Sequence, residues 1–129
     1  MKVIVMGAGA LGSISAALLH EAGHEVALVA RGARAEHLKA NGVTIEGLAN
    51  VTAACPIVTD TSTLTDADLL ILTVKTFDTE AALQQLAHVN VKAVLSVQNG
   101  MKKESQMSDV FGQDAVLLST SNFSGGVRD

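Results

Sequence analysis

The stretch Val3-Ile4-Val5-Met6-Gly7-Ala8-Gly9-Ala10-Leu11-Gly12 decides how this chain folds. Four apolar residues without alternation read as a strand buried on both faces. They run into the pattern G-x-G-x-x-G, and the small and apolar residues from Leu11 to Ala22 read as a helix. Each glycine has its own reason to be there. Gly7 permits the tight turn out of the strand. Gly9 lacks a Cβ, so a diphosphate can approach the backbone, and Gly12 lets the helix pack against the strand. The helix N-terminus offers free N–H groups and a partial positive charge. Gly7, Ala8, Gly9, Ala10, Leu11 and Gly12 are therefore a candidate phosphate loop. The competing reading is a βα turn with convenient glycines; a strand before and a helix after favour the ligand loop.

Outward from this stretch, short β-rich runs alternate with helical patterns. His24 to Ala30 reads as a second strand, Ala33 to Ala40 as a short helix stopped by Asn41-Gly42, and Val43 to Val58 as irregular or edge strands. Leu69 to Val74 is a further strand, Asp78 to Ala87 a helix, and Ala93 to Val97 a strand. Lys103 to Phe111 reads as a helix and Ala115 to Thr120 as the last strand. No repeat, low-complexity tract or linker divides the chain. The expectation is a single α/β domain over residues 1–129, Rossmann-type and doubly wound, with a mainly parallel sheet and flanking helices.

Bulk properties narrow the function classes. A net charge of −4 argues against a nucleic-acid partner, and three Phe with no Trp or Tyr leave no base-stacking surface. The apolar start is too short for a signal peptide or a membrane helix. One cysteine, Cys55, allows no internal disulfide. A reducing, cytoplasmic setting without membrane partners is the expectation.

Dinucleotide binders that take NAD place Asp or Glu at the end of the second strand. Here that place holds Val29-Ala30-Arg31, with no acid. Arg31 can pair with a 2′-phosphate, which points to NADP(H), and Arg34 one turn later can add to it. A solvated surface arginine is the bland alternative. Ligands in such sheets lie beyond the carboxyl ends of strands. Two polar residues follow strands there: Lys75 after Leu69 to Val74, and Asn99 after Ala93 to Gln98. Lys75 can donate to a phosphate, ribose or carboxylate, and Asn99 can hold a hydroxyl or a substrate polar group. An exposed strand-exit lysine and an Asn-Gly turn explain the same positions without a ligand.

Together, Gly7-Ala8-Gly9-Ala10-Leu11-Gly12, Arg31-Gly32, Val74-Lys75-Thr76 and Gln98-Asn99-Gly100 resemble the N-terminal NADP-binding domain of the ketopantoate reductase (2-dehydropantoate 2-reductase) family. The resemblance covers nearly the whole chain. It implies NADPH-dependent reduction of 2-dehydropantoate to pantoate in pantothenate and coenzyme A biosynthesis. It implies that the glycine loop binds pyrophosphate and Arg31 the 2′-phosphate. Lys75 and Asn99 would lie around the nicotinamide, with Asn99 also positioning substrate, and Ser124 would touch the cofactor. The family's second, helical domain carries the catalytic lysine and most contacts to the 2-oxo acid. This chain stops at Asp129, so it is expected to bind cofactor and to be inactive alone, with no catalytic residue of its own. Gly100 leads into Met101-Lys102-Lys103, where family members often have Leu and a small residue. An apolar face left by a missing domain would favour homo-oligomers.

Other motifs carry less. His20-Glu21-Ala22-Gly23-His24 matches H-E-x-x-H, but Gly23 should end the helix before His24, so no metal is expected. His37 and His88 read as helix-surface residues. Cys55 has no evident base and reads as a small apolar residue. Asn50-Val51-Thr52 and Asn122-Phe123-Ser124 match the glycosylation pattern but have no secretory signal beside them. Two other functions remain open. A non-catalytic dinucleotide sensor needs the glycine loop but not Lys75 and Asn99. A related 2-oxo acid, hydroxy acid or sugar-phosphate dehydrogenase shares this half.

Overall fold

A computed structural model describes residues 1–45, 51–73, 79–96, 107, 110–112 and 116–117. The chain runs β1 (Lys2–Met6), α1 (Ala10–Glu21), β2 (Glu25–Val29), α2 (Gly32–Asn41), β3 (Val43–Ile45), β4 (Val51–Ala53) and β5 (Ile57–Val58). A 3₁₀ turn (Thr61–Thr63) leads to β6 (Asp66–Leu72), α3 (Thr79–Leu86), β7 (Asn90–Ser96) and β8 (Val116–Leu117). The main sheet has the order β5-β2-β1-β6-β7-β8, with every pairing parallel. From β1 the chain works outward through β2 to β5, crosses back to β6 beside β1, then works outward again to β8. The crevice between the tips of β1 and β6 is therefore the topological switch point.

β1 is buried along Val3 to Met6 because both of its faces are covered. Val3 and Val5 join a core with Ala16, Ala17, Leu28, Ala35 and Leu38. Ile4 and Met6 join the opposite core with Leu70, Leu72, Ala82, Leu83 and Leu86. Strand residues alternate between faces, so one unbroken apolar run serves two helical layers. Ala16 and Ala17 are completely buried and let α1 approach the sheet closely.

Two strands begin earlier than their apolar runs suggest. β6 starts at Asp66, not Leu69, and β7 at Asn90, not Ala93. Among the extra residues Ala67 and Val91 pack on the core, while Asp66, Asp68, Asn90 and Lys92 are polar because they lie at the sheet's N-terminal edge. There Lys2 Nζ meets Asp66 Oδ1 at 2.9 Å and Lys92 Nζ meets Asp68 Oδ1 at 3.2 Å. The Lys2 backbone amide donates to Asp68 Oδ2 at 2.8 Å. These contacts hold both carboxyls below the usual range, Asp66 chiefly through the Lys2 side chain and Asp68 chiefly through the Lys2 amide.

The described residues of the 43–58 region, read as irregular or edge strands, form two features. β3 and β4 form an antiparallel pair of their own, with Val43 and Ala53 buried against the α1 side. β5 adds to the main sheet beside β2, with the Leu28 amide donating to the Pro56 carbonyl at 3.0 Å. A proline flanking an edge strand costs no ladder bond on the open side. Of the helix read over Lys103 to Phe111, only Met107, Val110 and Phe111 are described, and all three are helical. No described helix is long and apolar enough to cross a membrane.

Candidate functional site

β1 ends at Met6, and the turn begins with Gly7 at φ 117°, a conformation that side chains other than hydrogen rarely adopt. The Gly7 amide donates to the Val29 carbonyl at 3.3 Å, which fixes the turn beside the tip of β2. Gly9 then caps α1. A Cβ built on Gly9 meets nothing within 4 Å, so the space in front of it is open. Gly12 is the reverse. A Cβ there would collide with the Gly7 carbonyl oxygen and come 2.7 Å from Thr73 Oγ1. The first glycine shapes the turn, the second leaves room for a ligand, and the third lets the helix press on the turn.

Successive loop carbonyls are tied back to the protein. Thr73, just past β6, uses its Oγ1 to reach Met6 O at 3.0 Å and Gly7 O at 2.9 Å. Its amide donates to Met6 O at 3.0 Å. Ser13 Oγ donates to Ala8 O at 3.2 Å, and Arg34 Nε donates to the same oxygen at 3.0 Å. Arg34 Nη2 donates to Ser13 Oγ at 3.0 Å. The Ser13 amide closes on Gly9 O at 2.9 Å, the first bond of α1. The described peptides are all trans, and in a trans peptide C=O and N–H point opposite ways. Holding the Gly7 and Ala8 oxygens inward thus turns the Ala8 and Gly9 amides outward. Among the described residues neither amide has an acceptor. Outward amides at the start of a twelve-residue helix suit an anion.

Ser13, Thr73 and the inward role of Arg34 are missed by sequence reasoning. Thr73 left one signal, as the polar residue in an otherwise apolar run. Its exchange for valine is expected to lower stability by about 1 kcal/mol, the usual worth of such a bond. The change is isosteric in shape, and thermal unfolding of the variant checks it.

Arg31 is the N-cap of α2, in extended conformation, two residues beyond Val29. Val29 pairs with Met6, so this tip neighbours the glycine turn. Arg31 is exposed, and among the described residues its guanidinium has no partner. Lys75, Asn99 and Ser124 lie outside the described residues. β6 and β7, which precede the first two, end in register, Leu72 beside Ser96, at the sheet edge that carries the glycine turn.

The set-aside motifs stay apart from this edge. α1 ends at Glu21, so His20 lies in the helix and His24 beyond it. Among the described residues no cluster of His, Cys, Asp or Glu could hold a metal. His37 and His88 are exposed. Cys55 is buried, and burial pushes its thiol up, away from the reactive thiolate.

Comparison with known proteins bears on the family and the fold. The family model for ketopantoate reductase PanE/ApbA matches residues 3–129. A 2-dehydropantoate 2-reductase of Archaeoglobus fulgidus is 45% identical over 103 residues, covering 80% of this chain and 34% of that protein. One from Pyrococcus horikoshii is 36% identical over 114 residues, covering 88% of this chain and 38% of its own length. Among solved structures, a PanE/ApbA family ketopantoate reductase from Ralstonia eutropha superposes with TM-score 0.81 at 31% identity, covering 98% of this chain and 44% of that one. A D-mandelate dehydrogenase solved with NADH and anilino(oxo)acetate superposes with TM-score 0.80 at 30% identity, covering 90% of this chain and 39% of its own. The chain spans between a third and two fifths of the length of these two reductases. With a Rossmann-like sheet, a glycine turn at the switch point and a family match over nearly all of its residues, the chain belongs to the ketopantoate reductase family.

Proposed function

We propose that this chain is the NADP(H)-binding domain of a reductase that converts 2-dehydropantoate to pantoate, a step toward pantothenate. The observation that carries the reading is one juxtaposition at the sheet's carboxyl edge. A glycine turn with outward amides stands beside a guanidinium that has no partner among the described residues. The open face of Gly9 admits the diphosphate, and the Ala8 and Gly9 amides bind it. Arg31, at the neighbouring strand tip, pairs with the 2′-phosphate on the adenosine. Lys75 and Asn99 serve the nicotinamide end, Asn99 also orients the 2-oxo acid, and Ser124 touches the cofactor. The bound cofactor supplies the hydride; the protein supplies orientation and electrostatics. The proton donor and the remaining substrate contacts belong to the part of the family enzymes outside the span matched here, so these 129 residues bind cofactor without turning substrate over. A cytoplasmic setting goes with this reading, supported by a chain with one thiol.

Calorimetric titration of the chain with NADPH and NADH tests the proposal. NADPH is expected to bind at least about tenfold more tightly, the scale of one charge-assisted contact. A second reading draws on the likeness to D-mandelate dehydrogenase solved with NADH. It is a related reductase of another 2-oxo acid that uses the unphosphorylated cofactor. Equal or tighter binding of NADH favours that reading and removes the role given to Arg31.

A further inference from the structure

We infer that Arg34 is a positioning residue for the diphosphate loop and not a second reader of the 2′-phosphate. The inference rests on the dinucleotide reading above and adds a division of labour between two arginines one helical turn apart. Position alone makes them equivalent, since both leave the first turn of α2 beside the adenosine end of the crevice. Their contacts separate them. Arg31 is exposed and has no partner among the described residues. Arg34 is half-buried and commits one edge of its guanidinium inward, Nε to Ala8 O and Nη2 to Ser13 Oγ, both at 3.0 Å.

That edge does two things. Two parallel donors in a rigid fork fix orientation as well as distance. Here they fix the Ala8–Gly9 peptide with its oxygen inward and its amide outward. The guanidinium charge also lies against the negative end of that carbonyl. An anion arriving at the outward side then meets a peptide dipole that is already aligned and partly neutralised at the back. Ser13 belongs to the same unit, because its hydroxyl accepts from Arg34 and donates to Ala8 O. The fork ties α2 to the loop and, through Ser13, to the start of α1.

The test uses two partial ligands. ADP carries the diphosphate without a 2′-phosphate. Adenosine 2′-monophosphate carries the 2′-phosphate without a diphosphate. NMR titrations of wild type, R31A, R34A and R34K are compared, with melting temperature and circular dichroism as folding controls. R34A is expected to weaken ADP, NADH and NADPH alike by roughly 5- to 20-fold. It should leave adenosine 2′-monophosphate unchanged. R31A should weaken adenosine 2′-monophosphate and NADPH and leave ADP and NADH unchanged. R34K should fall between wild type and R34A, because an ammonium cannot hold both acceptors as a fork. A general loosening of the fold would move all four ligands together and would show no such crossing. R34A that spares ADP, or that weakens adenosine 2′-monophosphate as much as ADP, overturns the assignment while leaving the cofactor reading intact. Wild type that binds neither ADP nor NADPH overturns both.

Discussion

Replacing Gly12 with alanine is expected to cost about 3 kcal/mol of stability and to abolish dinucleotide binding at concentrations where the wild type saturates. The added Cβ meets the Gly7 carbonyl oxygen, with the Gly7 carbonyl carbon at 2.9 Å and Thr73 Oγ1 at 2.7 Å. Two of those atoms are backbone and cannot rotate away. The start of α1 must therefore lift from the tips of β1 and β6, which strains the Thr73 bond to Gly7 O. Overpacking usually costs about 1–3 kcal/mol, and a backbone obstacle puts this site at the upper end. For a chain of this length that is roughly a 10 °C fall in melting temperature. Losing two amide contacts to phosphate weakens binding by about a hundredfold or more. Gly9→Ala is the informative partner. Its backbone angles, φ −73° and ψ −164°, suit alanine, and its Cβ meets nothing in the protein. It should fold as well as the wild type and still bind poorly, because the new methyl occupies the ligand's space. Calorimetry and thermal unfolding on the two variants separate the roles. A Gly9→Ala variant that binds normally would mean the diphosphate does not approach there.

Arg31→Ala is expected to reduce NADPH affinity by about 5- to 150-fold, the range for one lost contact between charged groups. NADH affinity should stay within about threefold, because that ligand offers nothing for the guanidinium to grip. The preference should also weaken with salt in the wild type and much less in the variant, since an exposed ion contact is screened. Stability should change little, as Arg31 is exposed and makes no side-chain bond to cap α2. Competitive titration at low and high salt reads both effects. Equal losses for NADPH and NADH would assign Arg31 to the loop and not to selection.

Substrate choice is the finer question above both experiments. In the proposed reading the glycine turn and the arginines act on the dinucleotide, and a dinucleotide is common to many reductases. On the same reading a 2-oxo acid is recognised at the nicotinamide end, by the proposed Asn99 contact and by the rest of a family enzyme. Adding 2-dehydropantoate to the isolated 129 residues with NADPH is therefore a weak probe of specificity.

Much of this was legible in the residues alone, because it depends on neighbours along the chain. An apolar run, three glycines at fixed spacing and a helical pattern within ten residues specify a strand, a turn and a helix start. Alternating runs then specify a parallel, doubly wound sheet, and the missing acid after β2 draws attention to Arg31. What the residues alone left open depends on groups far apart in the chain and brought together by the sheet. Thr73 reaches Gly7 across 66 positions, and Arg34 reaches Ala8 across 26. No local pattern encodes the direction of a long side chain, so two arginines that look interchangeable in sequence are told apart only by which carbonyl lies within reach. The described parts of 43–58 are the same case: their short runs have little preference of their own, and contact with α1 and β2 made one part an antiparallel pair and another an edge strand.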